Sequence, residues 1–351
     1  MRILHLIESH TVHTDRILRH QLAEGNHAAV VTFHDHVGHG PVTVLPGGGL
    51  YARLPYRHHW QGLTGVLRVV RRFQPDILHG HYLSTAAAYL SCTQGPATVG
   101  TAMGSDILFD SLTVHARLLL RSLRWTVDRF TSVAPHLTRR MVELGLPSEH
   151  ISTFPWGVDV ARFRPSPEPS SDDVIISTRN FEPVYDLPTL LRAFGRVSRN
   201  KPDVRLELLG DGSQRAFLAS LAARIAPPGR IEFLGRVPPD TLADRLRSAS
   251  LYISTSLSDG ASTSLLEAMA VGLLPIVTDI QANQAWIRDG RNGLLFAAGD
   301  EKALAGAILH GLEDKGLRDR ARRENPLIIA ARASWRTSMD RLDAVYRAAL
   351  V

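Results

Sequence analysis

Cysteine is nearly absent. Cys92 is the only one in 351 residues, so no disulfide can form within the chain and no zinc site can be built from thiolates alone. Standing at the end of an apolar stretch, Cys92 is expected to pack into a core, and a reducing, cytoplasmic setting fits its isolation. Long uncharged runs are missing too. The longest stretch without Asp, Glu, Lys or Arg, Ile77 to Ser105, is interrupted by Gln94, Gly95, Pro96 and Gly100. It reads as strand, helix, turn and strand rather than as a membrane span. The opening MRILHLIE is too short and too soon charged to read as a signal peptide. Asp-x-Asp does not occur, nor does His-Glu-x-x-His. The 16 histidines include His10, His13, His34, His36, His39, His58 and His59, but they show no regular ligand spacing, and metal-independent chemistry is expected.

What is present is ordinary globular composition: 44% hydrophobic and 21% charged residues. The length suggests two domains, each able to bury a core. Forty Lys+Arg against 34 Asp+Glu give a net charge of +6. That balance favours anionic partners such as phosphates or an acidic membrane face. Nucleic acid is not expected, because no basic–aromatic module appears.

Short apolar runs alternate with longer amphipathic ones, predicting parallel sheets with helices on both faces. Strands are expected at Arg2–Ile7, Ala28–Phe33, Asp76–His79, Ala97–Thr101, Phe130–Val133 and Ile151–Phe154. After a Pro- and Ser-rich break, RFRPSPEPSSD, they resume at Val174–Ser177, Arg205–Leu209, Ile231–Leu234, Leu251–Ser254 and Pro275–Thr278. This predicts a doubly wound domain over 1–163, a second over 164–330, and a terminal helix over 331–351 returning to the first. Ligands of such sheets bind beyond the carboxyl ends of the strands.

The segment LYISTSLSDGASTSLLEAMAVGLLPIVTD, Leu251–Asp279, carries the clearest chemistry. A strand leads into a polar loop in which Gly260 permits a tight turn. Ser262 or Thr263 is placed to cap the next helix. The first-turn amides, with the helix dipole behind them, suit a diphosphate. Asp259 and Glu267 could accept hydrogen bonds from sugar hydroxyls. Taken alone, the segment also reads as an ordinary helix start with two solvent-facing acids. A second segment, ISTRNFEPVYDLPTLLRAF, presents Arg179 just after a strand, where a guanidinium fork suits phosphate oxygens.

These segments resemble the retaining glycosyltransferases of family 4, which have the GT-B fold. Asp259-Gly260 followed by Glu267-Ala268-Met269-Ala270 is similar to the family's E-x7-E region, with Asp in place of the first Glu and Ser262 in place of the second Gly. Arg179 matches the Arg of R-x-x-x-x-K-G, whereas Tyr185-Asp186 stands where Lys-Gly is usual. Pro155-Trp156-Gly157-Val158-Asp159 resembles the boundary signature, Gly210-Asp211-Gly212 the G-x-G turn, Gly235-Arg236-Val237 the loop near the base, and Asn292-Gly293-Leu294-Leu295-Phe296 the N-G-L-L strand. In the first half, Pro75–His81 is similar to the P-D-x-x-H-x-H strand. Thr101–Asp106 resembles T-x-H-G-x-D, with Met103 replacing the His, and the glycine loop after the first strand is absent.

The resemblance implies two Rossmann-like domains facing a cleft. It also implies a nucleotide-diphosphate sugar as donor and, as acceptor, a sugar, a lipid-linked glycan or a small molecule. Arg179, Asp259 and Glu267 would do the chemistry. Tyr185, Gly210, Arg236, Val237, Gly260, Ser262, Thr263 and Ser264 would hold the donor, and Ser9, His81 and Asp106 would lie on the acceptor side. Retention of anomeric configuration would follow, with no cofactor. The stretch HARLLLRSLRWTVDR, His115–Arg129, mixes Arg with Leu and Trp and suggests peripheral contact with an anionic membrane. Two other readings fit the departures: a non-catalytic nucleotide-sugar or glycan-binding relative, and a GT-B-fold sugar-nucleotide epimerase.

Overall fold

Runs of Ile, Leu and Val too short for helices become strands covered on both faces, which is the sequence signature of parallel sheets. The computed structural model describes residues 1–8, 12–33, 41–45, 56–109, 114–167 and 173–351. The first sheet comprises β1 (Arg2–Ile7), β2 (His27–Thr32), β3 (Val42–Val44), β4 (Ile77–His81), β5 (Ala97–Ala102), β6 (Arg129–Ser132) and β7 (Ile151–Thr153), in the order β3-β2-β1-β4-β5-β6-β7. The second comprises β8 (Val174–Ser177), β9 (Arg205–Leu209), β10 (Ile231–Gly235), β11 (Leu251–Ser254), β12 (Leu274–Thr278) and β13 (Leu294–Phe296), in the order β10-β9-β8-β11-β12-β13. Every pairing in both sheets is parallel. The strand order reverses between β1 and β4 in one sheet and between β8 and β11 in the other. These are the two switch points at which such sheets hold ligands.

The contacts divide the chain into one unit of residues 1–156 with 338–351, and a second of 157–337. The divide thus falls before 157–163 rather than after it, and those residues go with the second unit. Val158 donates to the Ala333 carbonyl at 2.8 Å, Trp335 donates to the Val158 carbonyl at 2.7 Å, and Phe163 is buried in the same core as Val174 and Ile176.

In the first unit, period-two alternation sorts β1 and β4 into an apolar and a polar face. Leu4, Leu6 and Leu78 pack with the helix Leu83–Cys92. That helix lies so close that a Cβ at Gly80 would stand 2.5 Å from the Ala86 Cβ, and one at Gly100 would stand 2.6 Å from Leu83. Cys92 ends this helix exposed rather than in the core, because the apolar stripe finishes at Leu90.

The other face carries His5, His79, His81, Thr101 and Thr131, all buried. The terminal helix Trp335–Ala349 brings Tyr346 to 2.7 Å from His79 Nδ1. His79 Nε2 lies 2.6 Å from Thr101 Oγ1, Thr101 lies 2.5 Å from Thr131 Oγ1, and His5 Nδ1 lies 3.0 Å from His81 Nε2. Burial lowers the His5 pKa from 6.5 to about 4. Burial first, then the neighbouring rings, hold His79 and His81 well below the ordinary value. All three rings are therefore neutral near pH 7.

The second unit's core gathers on Ile175, Leu190, Phe194, Leu206, Leu251 and Ile276. One of its helices, Lys315–Arg332, is not foreshadowed by periodicity. Leu317, Ala321, Asn325 and Ile329 form its buried stripe at a spacing of four. Asn325 fits there because its amide donates to the Leu273 and Asn292 carbonyls at 3.0 Å each and accepts from Asn292 Nδ2 at 2.9 Å.

Candidate active site

The second switch point is where the chemistry of the second unit collects. β8 ends at Ser177 and runs into the loop of Arg179, while β11 ends at Ser254 and runs through Asp259 to the helix Thr263–Ala270. Ser262 is the N-cap of that helix, in extended conformation, with Oγ accepting from the Leu265 amide at 3.3 Å. This meets one of the donors that every helix start leaves unpaired. Gly260 is buried in the loop and keeps φ outside the left-handed region, so the turn does not draw on glycine's special freedom.

Arg179 reaches across to this helix start. Its Nη1 donates to Ser262 Oγ at 2.6 Å and to Ser264 Oγ at 2.8 Å, and its Nη2 donates to Asp259 Oδ2 at 2.6 Å. The side chains of Arg179 and Asp259 are 7% and 16% exposed, so this pair is largely shielded from water. The Tyr185 ring, half-buried, lies under the guanidinium with its centroid 4.2 Å from Cζ. Burial works against the Arg179 charge, but Asp259, helped by Tyr252 and Tyr185, outweighs it and keeps the cation above its ordinary range. Among the described residues, the buried Arg179 Nε has no acceptor.

The loop before Tyr185 is tied to the loop after β11: Thr255 Oγ1 donates to the Tyr185 carbonyl at 2.7 Å, and Leu257 donates to the Val184 carbonyl at 2.8 Å. Asp186 holds the next position at φ 42°, ψ 45°, in the left-handed region that glycine enters most readily. The backbone bend is therefore made by an aspartate where the related pattern has Gly.

Gly210 and Gly212 explain the G-D-G turn. At Gly210, φ is 152°, and a Cβ would lie 2.5 Å from the Arg179 carbonyl oxygen; at Gly212 a Cβ would lie 2.7 Å from that of Phe181. Gly210 also donates to the Gly235 carbonyl at 2.9 Å, and Ser213 Oγ donates to Glu182 Oε2 at 2.5 Å. The two glycines thus let one loop support the other from below. Gly210→Ala is expected to cost about 1–3 kcal/mol of stability and to displace Arg179. Urea unfolding and donor turnover measured on the same preparation check both effects; a variant matching wild type in both removes the support role.

The other positions fall out variously. Glu267 is half-buried on the helix Thr263–Ala270, just past its first turn. Arg236 is exposed beyond β10, and Val237 packs on the core of the second unit. Tyr252 was hidden in an apolar strand pattern. It is fully buried, and burial raises its phenol pKa while Arg179 opposes the rise. In the first unit, Ser9 lies outside the described residues.

Two of the expected acceptor-side positions are buried. Asp106 is wholly buried, and its carboxylate accepts from the backbone amides of Leu83 and Gly104 at 2.8 Å each and of Met103 at 3.1 Å. It is a turn-stabilising residue. His81 is 2% exposed and shares the buried cluster with His5 and His79. The ring nitrogens of these three lie within 4.8 Å of one another, close enough to ligate a metal ion, but His79 uses both of its nitrogens on hydroxyl groups.

Comparison with known proteins adds an independent line. Residues 10–162 match the family model described as Glycosyltransferase Family 4, and residues 160–326 match that described as Glycosyl transferases group 1. The chain is 28% identical over 331 residues to the phosphatidyl-myo-inositol mannosyltransferase of Mycolicibacterium smegmatis, covering 89% of this chain and 82% of that protein. It is 24% identical over 358 residues to the D-inositol 3-phosphate glycosyltransferase of Thermobispora bispora, covering 90% and 80%. Among solved structures, Anabaena HepE in complex with UDP-glucose superposes with a TM-score of 0.79 at 18% identity, covering 98% of this chain and 100% of that one.

Proposed function

The chain belongs to glycosyltransferase family 4, its two halves matching the two family models end to end, and we propose that it moves a sugar from a nucleoside diphosphate to an acceptor hydroxyl with retention of anomeric configuration. The observation that carries this reading is the meeting of Arg179 with Ser262 and Ser264 at the start of the helix Thr263–Ala270. In this reading the bond from the sugar's anomeric carbon to the β-phosphate oxygen breaks, the acceptor oxygen bonds to that carbon, and the acceptor's proton passes to the departing phosphate. Negative charge grows on the diphosphate as the bond opens. A buried guanidinium and first-turn amides are preorganised donors for that charge. Glu267 and Asp259 are the carboxylates offered to ribose and sugar hydroxyls. No metal is assigned a step.

The relatives' names place their acceptors among inositol-bearing compounds, one of them a lipid. For this chain the acceptor is a sugar, a lipid-linked glycan or a small molecule. A thermal-shift screen with UDP, GDP, dTDP and ADP sugars identifies the donor, because a ligand that binds only the folded state raises apparent stability by mass action. Transfer to candidate acceptors is then read by mass spectrometry. No stabilisation by any nucleotide sugar would defeat the reading.

No helix among the described residues is long and apolar enough to cross a membrane. Peripheral contact is proposed through the helix Val114–Ser122 and the 3-10 turn Leu123–Trp125. Leu120 and Leu123 are buried, while Leu118 and Trp125 are 63% and 78% exposed beside outward Arg117, Arg121 and Arg124. An exposed Trp with flanking Arg suits the interface of an anionic bilayer. Co-sedimentation with phosphatidylserine vesicles is expected at low salt and to fall at high salt. No binding, or none that salt weakens, would remove the anionic membrane from the proposal.

A further inference from the structure

Arg179 offers a diphosphate two edges, and the structure shows how each is used. The end-on nitrogen Nη1 is committed to Ser262 and Ser264. Asp259 holds Nη2 at 2.6 Å, while the buried Nε, which shares the side-on edge with Nη2, has no acceptor among the described residues. A guanidinium edge is a fork that takes carboxylate or phosphate oxygens in pairs. Asp259 therefore fills half of a two-pronged position. A ligand that satisfied Nε by bidentate contact would meet Asp259 at Nη2 and compete with it for that nitrogen.

The geometry points to Asp259 as an internal anion that holds the diphosphate position until the donor arrives. Donor binding exchanges one anion for another at Nη2 and releases the Asp259 carboxylate, at the mouth of the same helix, to accept from hydroxyls of the sugar to be transferred. The inference rests on Arg179 being the diphosphate's partner. It adds that the donor's phosphates compete with a side chain of the enzyme, and that filling this position readies the carboxylate. Ser262, Ser264 and Tyr185 keep the guanidinium in place while its anion changes.

The exchange separates two quantities that a simple binding residue would move together. Calorimetric titration with inorganic pyrophosphate, which carries neither base nor sugar, reads the competition alone. Asp259→Asn keeps the shape and removes the charge. It is expected to tighten pyrophosphate binding by about three- to tenfold while lowering turnover of the nucleotide-sugar donor. Glu182→Gln is the charge control: Glu182 is a neighbouring carboxylate bonded to Ser213 rather than to Arg179, and its loss is expected to change pyrophosphate affinity less than about twofold. If Asp259→Asn binds pyrophosphate no tighter than wild type while Arg179→Gln abolishes binding, the exchange is wrong and the donor site stands. If Arg179→Gln leaves pyrophosphate affinity unchanged, the donor site itself is wrong and the exchange falls with it. An equal gain in Asp259→Asn and Glu182→Gln would also overturn the exchange, since general electrostatics would then account for it.

Discussion

Arg179→Ala is expected to lower kcat/KM for the nucleotide-sugar donor by about 100- to 1,000-fold, the usual cost of losing one preorganised donor to a developing anion. The effect should exceed the change in donor affinity, because the guanidinium matters most when the leaving diphosphate carries its full charge. Stability should fall as well. The deletion takes the paired cation from Asp259, at 16% exposure, and one donor from each of two serines, and a carboxylate left largely out of water without its cation is costly. Thermal unfolding and steady-state kinetics on the same sample separate the two losses. Arg179→Lys should recover much of the stability and little of the rate, since an ammonium keeps the charge but not the planar fork. Near wild-type turnover in the alanine variant would take Arg179 out of the reaction.

The second large effect concerns pH. Between about pH 4 and 6.5, His5 binds a proton when unfolded and does not when folded, because burial lowers its pKa from 6.5 to about 4. The stability it contributes is whole above pH 6.5 and is lost as pH falls through that window, by about 2 kcal/mol at pH 5 from this ring alone. His79 and His81 shift in the same direction and add to the loss. The carboxylates whose pKa values are lowered, Glu182 and Glu324 among them, start from 4.5 and act below this range. Urea unfolding midpoints for the first unit should therefore drop steeply from pH 7 to pH 5. His5→Asn, which does not titrate there, should make the drop shallower whatever its effect on overall stability. A midpoint that stays level over those two pH units would mean that the cluster is not buried neutral.

The strands were largely legible because their burial is two-sided. β1, β8, β9 and β11 begin and end where short runs rich in Ile, Leu and Val say they should. β3 escaped notice because Val42–Val44 is a short, exposed edge with no apolar run to mark it. The helix Lys315–Arg332 escaped because Pro326 and a buried asparagine interrupt the pattern that its core-facing stripe would otherwise show.

At the site, motif order was enough to nominate Arg179, Asp259 and Ser262. It did not reveal that Arg179 pairs with Asp259, since that bond spans 80 positions. Tyr252 looked like core because it is core, and its proximity to the cation depends on β11 lying next to β8. Asp106 and His81 read as acceptor-side residues for a shared reason. A polar residue at a strand end reads the same whether it faces a ligand or satisfies its own backbone and neighbours, and only burial separates the two.

The first unit needs residues on both sides of the second: 338–351 complete a sheet face that begins at residue 2. During synthesis, residues 157–337 leave the ribosome with everything their own sheet requires. Tyr346 follows only after that intervening segment, which at common elongation rates takes about 10 to 35 s to make. Throughout that interval His79 waits without Tyr346, so the half made earlier is completed later. A chaperone that shields this nascent stripe, or a rearranged gene that places 338–351 at the front of the chain, should change folding yield without touching the chemistry.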